Sequence, residues 1–428
     1  MTFKPTDYTL KCCATNHELK DSGWVLADPE CSCPSLVRAE YAQKKFNPRE
    51  ELDGFYRYAD WLPIRRTLEK SCPPVTYKSE ALAAELGLNN LYITFSGYWP
   101  EKGARMETAS FKETEAYSVC ARLPEGLDKV LVVASAGNTA RAFAKVCSDN
   151  NIPLLISIPE DNISALWFKK PLNDCVKIIA SPAGSDYFDA IALSDKVCTH
   201  EKFMAEGGAK NVARRDGMGT TVLSAVEVIG RIPDAYFQAI GSGTGTIAAW
   251  ENNLRLIADG RFGSHKMKLY PSQNTPFTIM YDSWKIHSRN LVPMTPQEAR
   301  AAAAEIDAKV LSNRKPPYTI AGGLFDAMED AGGEMFKVCN SDLHYWQKKF
   351  LELEGNDIHN AAAVAVASLS QAVKEGKVGK DDVIMLNITG GGEERAKSEG
   401  EVIYAKPHLV LDPDLPADEI VDAVLKLF

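Results

Sequence analysis

From about residue 127 onward the chain alternates short aliphatic and β-branched runs with helix-length segments, and that rhythm limits its fold more than any other feature. The runs at 130–134, 154–158, 176–180, 235–240 and 383–388 are largely continuous in apolar residues, as expected of strands buried on both faces. The stretches 139–149, 186–200, 218–230, 246–258, 341–353 and 357–374 read as helices. Strands that recur with helices between them are joined by right-handed crossovers into mostly parallel sheets. This is α/β architecture. Ligands in such folds sit at the carboxyl ends of the strands, where each strand hands over to a helix, so those turns are expected to carry the chemistry. Residues 1–60 differ: Cys, Pro, Asn and charge with little periodicity suggest an irregular N-terminal subdomain. At the other end, 414–428 reads as an amphipathic helix with acids in its first turn and Ile420, Val424 and Leu427 on one face, suited to packing.

A length of 428 residues suggests two or three domains at about 100–200 residues each. Lys plus Arg number 48 against 57 Asp plus Glu, a net charge of −9 that disfavours nucleic acid as a partner. No apolar stretch approaches the length of a membrane span and the first residues lack a signal-peptide core, so a cytoplasmic protein without a membrane partner is expected. Ten irregularly spaced cysteines fit reduced thiols. Cys12, Cys13, Cys31 and Cys33 cluster in sequence, but as C-C and C-x-C rather than zinc knuckles, and no metal is expected.

Four strand-end turns have the residue types of binding sites. Gly241-Ser242-Gly243-Thr244-Gly245-Thr246 lies between a strand and a helix, where glycines let backbone N–H groups approach an anion and the helix dipole adds to the attraction. It matches neither the Walker pattern nor G-x-G-x-x-G, so a monophosphate suits it better than a triphosphate or dinucleotide. Ser135-Ala-Gly-Asn138-Thr139 gathers short polar side chains at a helix start and suits a carboxylate, although such residues are also ordinary N-caps. Lys112, in Thr108-Ala-Ser110-Phe-Lys112, could lose its charge in a pocket and become a nucleophilic amine, or be a plain surface lysine. Asn387-Ile-Thr389-Gly-Gly-Gly392 permits close approach of a ligand beside a neutral hydroxyl, or is simply a glycine-rich turn.

Taken together and in this order, the four stretches resemble the fold-type II pyridoxal-phosphate enzymes, in the threonine synthase branch. The motif Phe55-Tyr-Arg-Tyr-Ala-Asp-Trp-Leu-Pro63 is similar to that branch's early signature, and the match extends from about residue 55 to 392. The resemblance implies a tryptophan-synthase-β-like fold with two parallel-sheet α/β domains and the cofactor, pyridoxal 5'-phosphate, between them. The large domain would comprise 61–115 and 213–428, the small one 116–212, and the molecule would be a homodimer. It also implies roles. Lys112 would be the Schiff-base lysine and general base, and Asn138 would bond the cofactor's 3-hydroxyl. The 241–246 loop would hold its phosphate and Thr389 would face the pyridine nitrogen. Ser110, Ser135 and Thr139 would meet the substrate.

Departures from the branch narrow the substrate. Glu113-Thr114 stands where the family has Asp-Arg, and Arg214-Arg215-Asp-Gly-Met-Gly219 replaces a segment that carries a lysine at position 219. Paired guanidinium groups suit phosphate or sulfonate oxyanions. The Thr-Ala-Ser-Phe-Lys-Glu-Thr and Ser-Ala-Gly-Asn-Thr-Ala-Arg patterns are similar to relatives that convert O-phospho-L-serine and sulfite to L-cysteate and phosphate, for coenzyme M formation. A threonine or cysteine synthase is the alternative within enzymes. Outside that class stand an anion-sensing binding module without catalysis and a nucleotide-dependent oxidoreductase, the latter requiring Asp259 to hold a ribose.

Overall fold

In a computed structural model that describes residues 3–428, the chain builds one mostly parallel and one parallel sheet, a small three-stranded antiparallel sheet and two two-stranded antiparallel ribbons. The larger sheet has six strands in the spatial order Phe336–Val338, Lys268–Asn274, Ala235–Ala239, Val383–Ile388, Asn90–Phe95 and Val75–Lys78. Only the Val75–Lys78 edge runs antiparallel to its neighbour. Ala-rich helix Asn360–Lys374 lies on this sheet, its small side chains buried almost throughout. Five parallel strands form the second sheet, in the order Phe203–Ala205, Val130–Ala134, Leu154–Pro159, Val176–Ser181 and Leu409–Val410. Strands Leu154–Pro159 and Val176–Ser181 are buried at every position, which is why they read as largely apolar runs, broken only by Ser157, Lys177 and Ser181. Each fully buried Leu, Ile or Val contributes about 1.5–3 kcal/mol to holding these layers together.

Three sequence expectations need correction. The N-terminal region is mostly loop but not wholly irregular: Glu18–Leu19, Tyr8–Cys12 and Val37–Tyr41 form an antiparallel sheet within it. Helix Val212–Ile229 starts six residues before the expected 218, capped by the Asn211 side chain, which accepts from Ala213 N at 3.0 Å. The C-terminal segment does not stay with the large domain. Leu409–Val410 pairs with Ile179 and Ala180 of the smaller sheet, and helix Ala417–Leu425 buries Ile420 and Val424 with Leu193 and Val197.

Among the described residues no helix is long and apolar enough to cross a membrane, and no three His, Cys, Asp or Glu side chains gather where they could hold a metal. Cys12 is buried, whereas the sulfurs of Cys31 and Cys33 lie 3.5 Å apart near the surface.

Candidate active site

The parallel strands Ala235–Ala239 and Val383–Ile388 are adjacent, so the turns at 241–246 and 389–392 leave the same edge of the large sheet. Asn387 fastens them from behind, its Nδ2 donating to Tyr236 Oη at 2.9 Å and to Gln238 Oε1 at 3.2 Å. The lysine loop is stitched to the second turn by backbone. Phe111 N donates to Thr389 O and Gly391 N to Ala109 O, each at 3.0 Å, with a bridge between Ser110 and Gly390. Glu113, fully buried, accepts from Thr108 N at 2.6 Å and so closes the loop on itself.

Lys112 opens helix Lys112–Arg122, and its Nζ donates to Glu115 Oε2 at 3.0 Å. Burial pushes the Lys112 amine below the ordinary lysine range, and more strongly than Glu115 raises it. Glu115 has no exposed surface and joins three partners. Besides Lys112 these are Thr139, whose hydroxyl donates at 2.9 Å, and Arg214 at 3.2 Å. Thr139 brings in the small domain's turn, where Ser135 Oγ accepts from Gly137 N at 3.2 Å and helix Asn138–Asp149 begins. Val310 borders both domains' loops. A Cβ on Gly241 would lie 2.6 Å from its carbonyl oxygen, and one on Gly137 would lie 3.9 Å from its side chain. All four stretches therefore converge.

The two arginines do not converge. On a helix, consecutive residues are turned about 100° apart, so Arg214 and Arg215 cannot face one site. Arg215 is fully buried against the N-terminal sheet, paired with Glu251 at 3.0 Å and bonded to the carbonyls of Val37 and Ala209. Arg214 faces Glu115 and takes Glu206 as a second carboxylate. Burial opposes its charge, but these two acids outweigh burial and hold it protonated. The expected cationic pair is thus one arginine between two acids. Sequence reasoning missed Glu115 as a partner of Lys112, although the i, i+3 spacing was readable.

A phosphorylated pyridine cofactor fits these residues. Gly243 has φ +78, a conformation that favours glycine, and a Cβ on Gly245 would meet the Gln238 side chain at 2.6 Å. The loop thus keeps its backbone bare as it enters helix Thr244–Asp259, whose first N–H groups have no carbonyl partners within the helix. Thr246 Oγ1 in this loop and Ser110 Oγ in the lysine loop are buried without partners among the described residues. A dinucleotide fits less well. Asp259 ends that 16-residue helix, about 24 Å from the loop, and its carboxylate is bonded to Phe46 N and Arg261.

Residues 76–390 match the family model described as pyridoxal-phosphate dependent enzyme. Proteins named cysteate synthase are similar over nearly the whole length. That of Methanosarcina acetivorans is 45% identical over 415 residues, 96% of this chain and 99% of its own. That of Methanocella paludicola is 45% identical over 422 residues, 97% of each chain. Among solved structures, maize serine racemase superimposes with a TM-score of 0.57 at 16% identity, covering 74% of this chain and 88% of that one. Processed threonine deaminase isoform 2 of Solanum lycopersicum gives 0.53 at 18% identity, covering 76% and 87%. These two likenesses show the fold, that of the fold-type II enzymes. The chain belongs to the pyridoxal-phosphate-dependent enzyme family, among relatives named cysteate synthase.

Proposed function

We propose that this enzyme replaces the phosphate of O-phospho-L-serine with sulfite, giving L-cysteate. One observation carries the choice of product: likeness at 45% identity, end to end, to proteins named cysteate synthase. When bound, pyridoxal phosphate supplies the electron sink that lets a Cα–H bond break and a β substituent depart. Lys112 Nζ, deprotonated more readily for being buried, removes that proton and later returns it. Glu115 Oε2 gives the amine a resting partner when it is free.

Backbone N–H groups of 241–246, with the Ser242, Thr244 and Thr246 hydroxyls, would hold the cofactor phosphate, and Asn138 Nδ2 would donate to the ring oxygen. Thr389 would put a neutral hydroxyl at the pyridine nitrogen, and without a carboxylate there less charge would spread into the ring, which would favour loss of a β leaving group over transamination. Ser110, Ser135 and Thr139 take the substrate carboxylate. Arg214, kept charged by its two acids, faces the departing phosphate and the arriving sulfite, oxyanions of similar shape and charge. Sulfite adds through sulfur at the carbon that phosphate left.

Product analysis tests the reading, with phosphate release measured from phosphoserine and from phosphohomoserine, each with sulfite, with sulfide and without either. Cysteate from phosphoserine and sulfite, abolished by Lys112→Ala, is expected. Threonine from phosphohomoserine, or cysteine from sulfide with no cysteate from sulfite, would assign the chain to another activity of the branch.

A further inference from the structure

Arg141 lies one helical turn after Asn138 and is 2% exposed, yet nothing in the chemistry above uses it. Its guanidinium reaches three of the four converging stretches. Nη2 donates to Asn138 Oδ1 at 3.0 Å and to Thr108 O at 2.9 Å, and Nε to the same Thr108 carbonyl at 3.3 Å. Nη1 donates to Ala165 O at 2.9 Å. Across the domains, Nη2 meets Glu393 Oε2 at 3.1 Å, directly after the glycines of the last turn. The group stacks 4.7 Å over the ring of Trp167, which is also buried.

An arginine can only donate hydrogen bonds, whereas an asparagine amide has one accepting and one donating end. A fixed guanidinium therefore decides which way the amide points. We propose that Arg141 is a positioning residue that fixes the Asn138 amide with Oδ1 inward, so that Nδ2 donates to the cofactor's ring oxygen. The inference rests on the reading of Asn138 as a cofactor contact. A donor at that oxygen favours its ionised form, which sustains the visible absorption of the bound cofactor. An amide free to turn presents Oδ1 for part of the time, repelling the ring oxygen. Glu393 holds the guanidinium in place.

The test is a double-mutant cycle on the holoenzyme, reading cofactor dissociation and the visible band across pH rather than turnover. Arg141→Met removes every donor. Arg141→Lys keeps the charge in the buried site but cannot bond Thr108 O and Asn138 Oδ1 as a planar fork does, so it serves if the methionine variant fails to fold. In the wild-type background either change is expected to weaken cofactor binding about tenfold, as befits one charge-assisted hydrogen bond. It should also move absorption from the visible toward the near ultraviolet. In an Asn138→Ala background the same changes should cost less than about twofold, because Arg141 acts through the amide it no longer meets. Equal losses in both backgrounds, or an unchanged band and dissociation constant in a folded variant, would overturn the proposal. Borohydride labelling of the wild type keeps the two readings apart. No label at Lys112 defeats the site assignment itself, whereas a label at Lys112 with additive losses defeats only the role of Arg141.

Discussion

Ala109 sits between Thr108 and Ser110 with φ +55, and its carbonyl accepts the Gly391 bond that ties the lysine loop to the last turn. A residue with a Cβ in this region costs about 1–2 kcal/mol relative to glycine. Ala109→Gly should therefore be neutral or stabilising by up to about 1 kcal/mol, because the greater freedom of the unfolded chain offsets part of the relief. Ala109→Val should destabilise clearly, and denaturant midpoints would measure both. The adjacent arginines of helix Val212–Ile229 should separate by assay. Arg215→Met removes one of the two arginines paired with Glu251, Arg38 remaining at 3.4 Å, and leaves the Val37 and Ala209 carbonyls without their donor, so it should cost about 1–3 kcal/mol of stability. Arg214→Lys should leave folding nearly intact while raising KM for phosphoserine more than it lowers kcat. The sequence marked both positions as basic but could not assign them to different faces until they were known to lie within one helix. Lys112, Asn138 and Thr389 could be proposed from the sequence because each stands in a motif. Glu115 was readable only as an i, i+3 neighbour of Lys112, and Arg141, although it ends the Ser-Ala-Gly-Asn-Thr-Ala-Arg pattern, drew no role because its importance lies in what it touches.

At the level of elements, the strand-to-helix turn at 241–246 carries the strongest steric constraint. Gly243→Ala would hold a Cβ at φ +78 and 2.7 Å from Leu324 Cδ2. A loss of about 1–2 kcal/mol is expected, together with weaker cofactor uptake, since the loop must shift away from the phosphate it would cradle. Thermal unfolding with and without added pyridoxal phosphate separates the two effects, the gap between the curves being narrower in the variant. Most of the buried strands were readable from largely apolar runs broken by no more than one or two polar residues. Val37-Arg-Ala-Glu-Tyr41 was also readable, as a period of two with Val37, Ala39 and Tyr41 buried, but its short length hid it in a Cys- and Pro-rich context. Asn90–Phe95 and Lys268–Asn274 escaped notice because polar residues interrupt them. In both strands those residues are largely covered by neighbouring layers, Asn274 through bonds to Val338 O and Asn340.

Two α/β units joined only by loops would move freely, yet here Arg141 and Glu393 connect the Asn138 helix to the glycine turn of the large sheet. Burial raises the Glu393 pKa, but His359, with Nε2 3.0 Å away, and Arg141 outweigh it and hold the carboxyl well below the usual range. Because the folded value is depressed, the contribution of this pair is complete above the unfolded value of about 4.3 and is lost as pH falls through the folded value. Glu393→Gln should therefore be less stable than wild type by about 1.5–3 kcal/mol near neutral pH, and the difference should shrink in acid when unfolding is followed from pH 7 downward. Long-range closure of this kind was invisible in the sequence, since residues 252 positions apart share no local pattern. The same holds for Leu409–Val410, which return to the smaller sheet after the chain has completed the larger one. All of this architecture serves one covalent attachment, and the most direct test of it is to reduce the cofactor-loaded enzyme with borohydride, digest it and map the labelled peptide. The expected result is a pyridoxyl group on Lys112 and on no other lysine. A label on a different amine, or a loaded enzyme that takes none, would contradict the account.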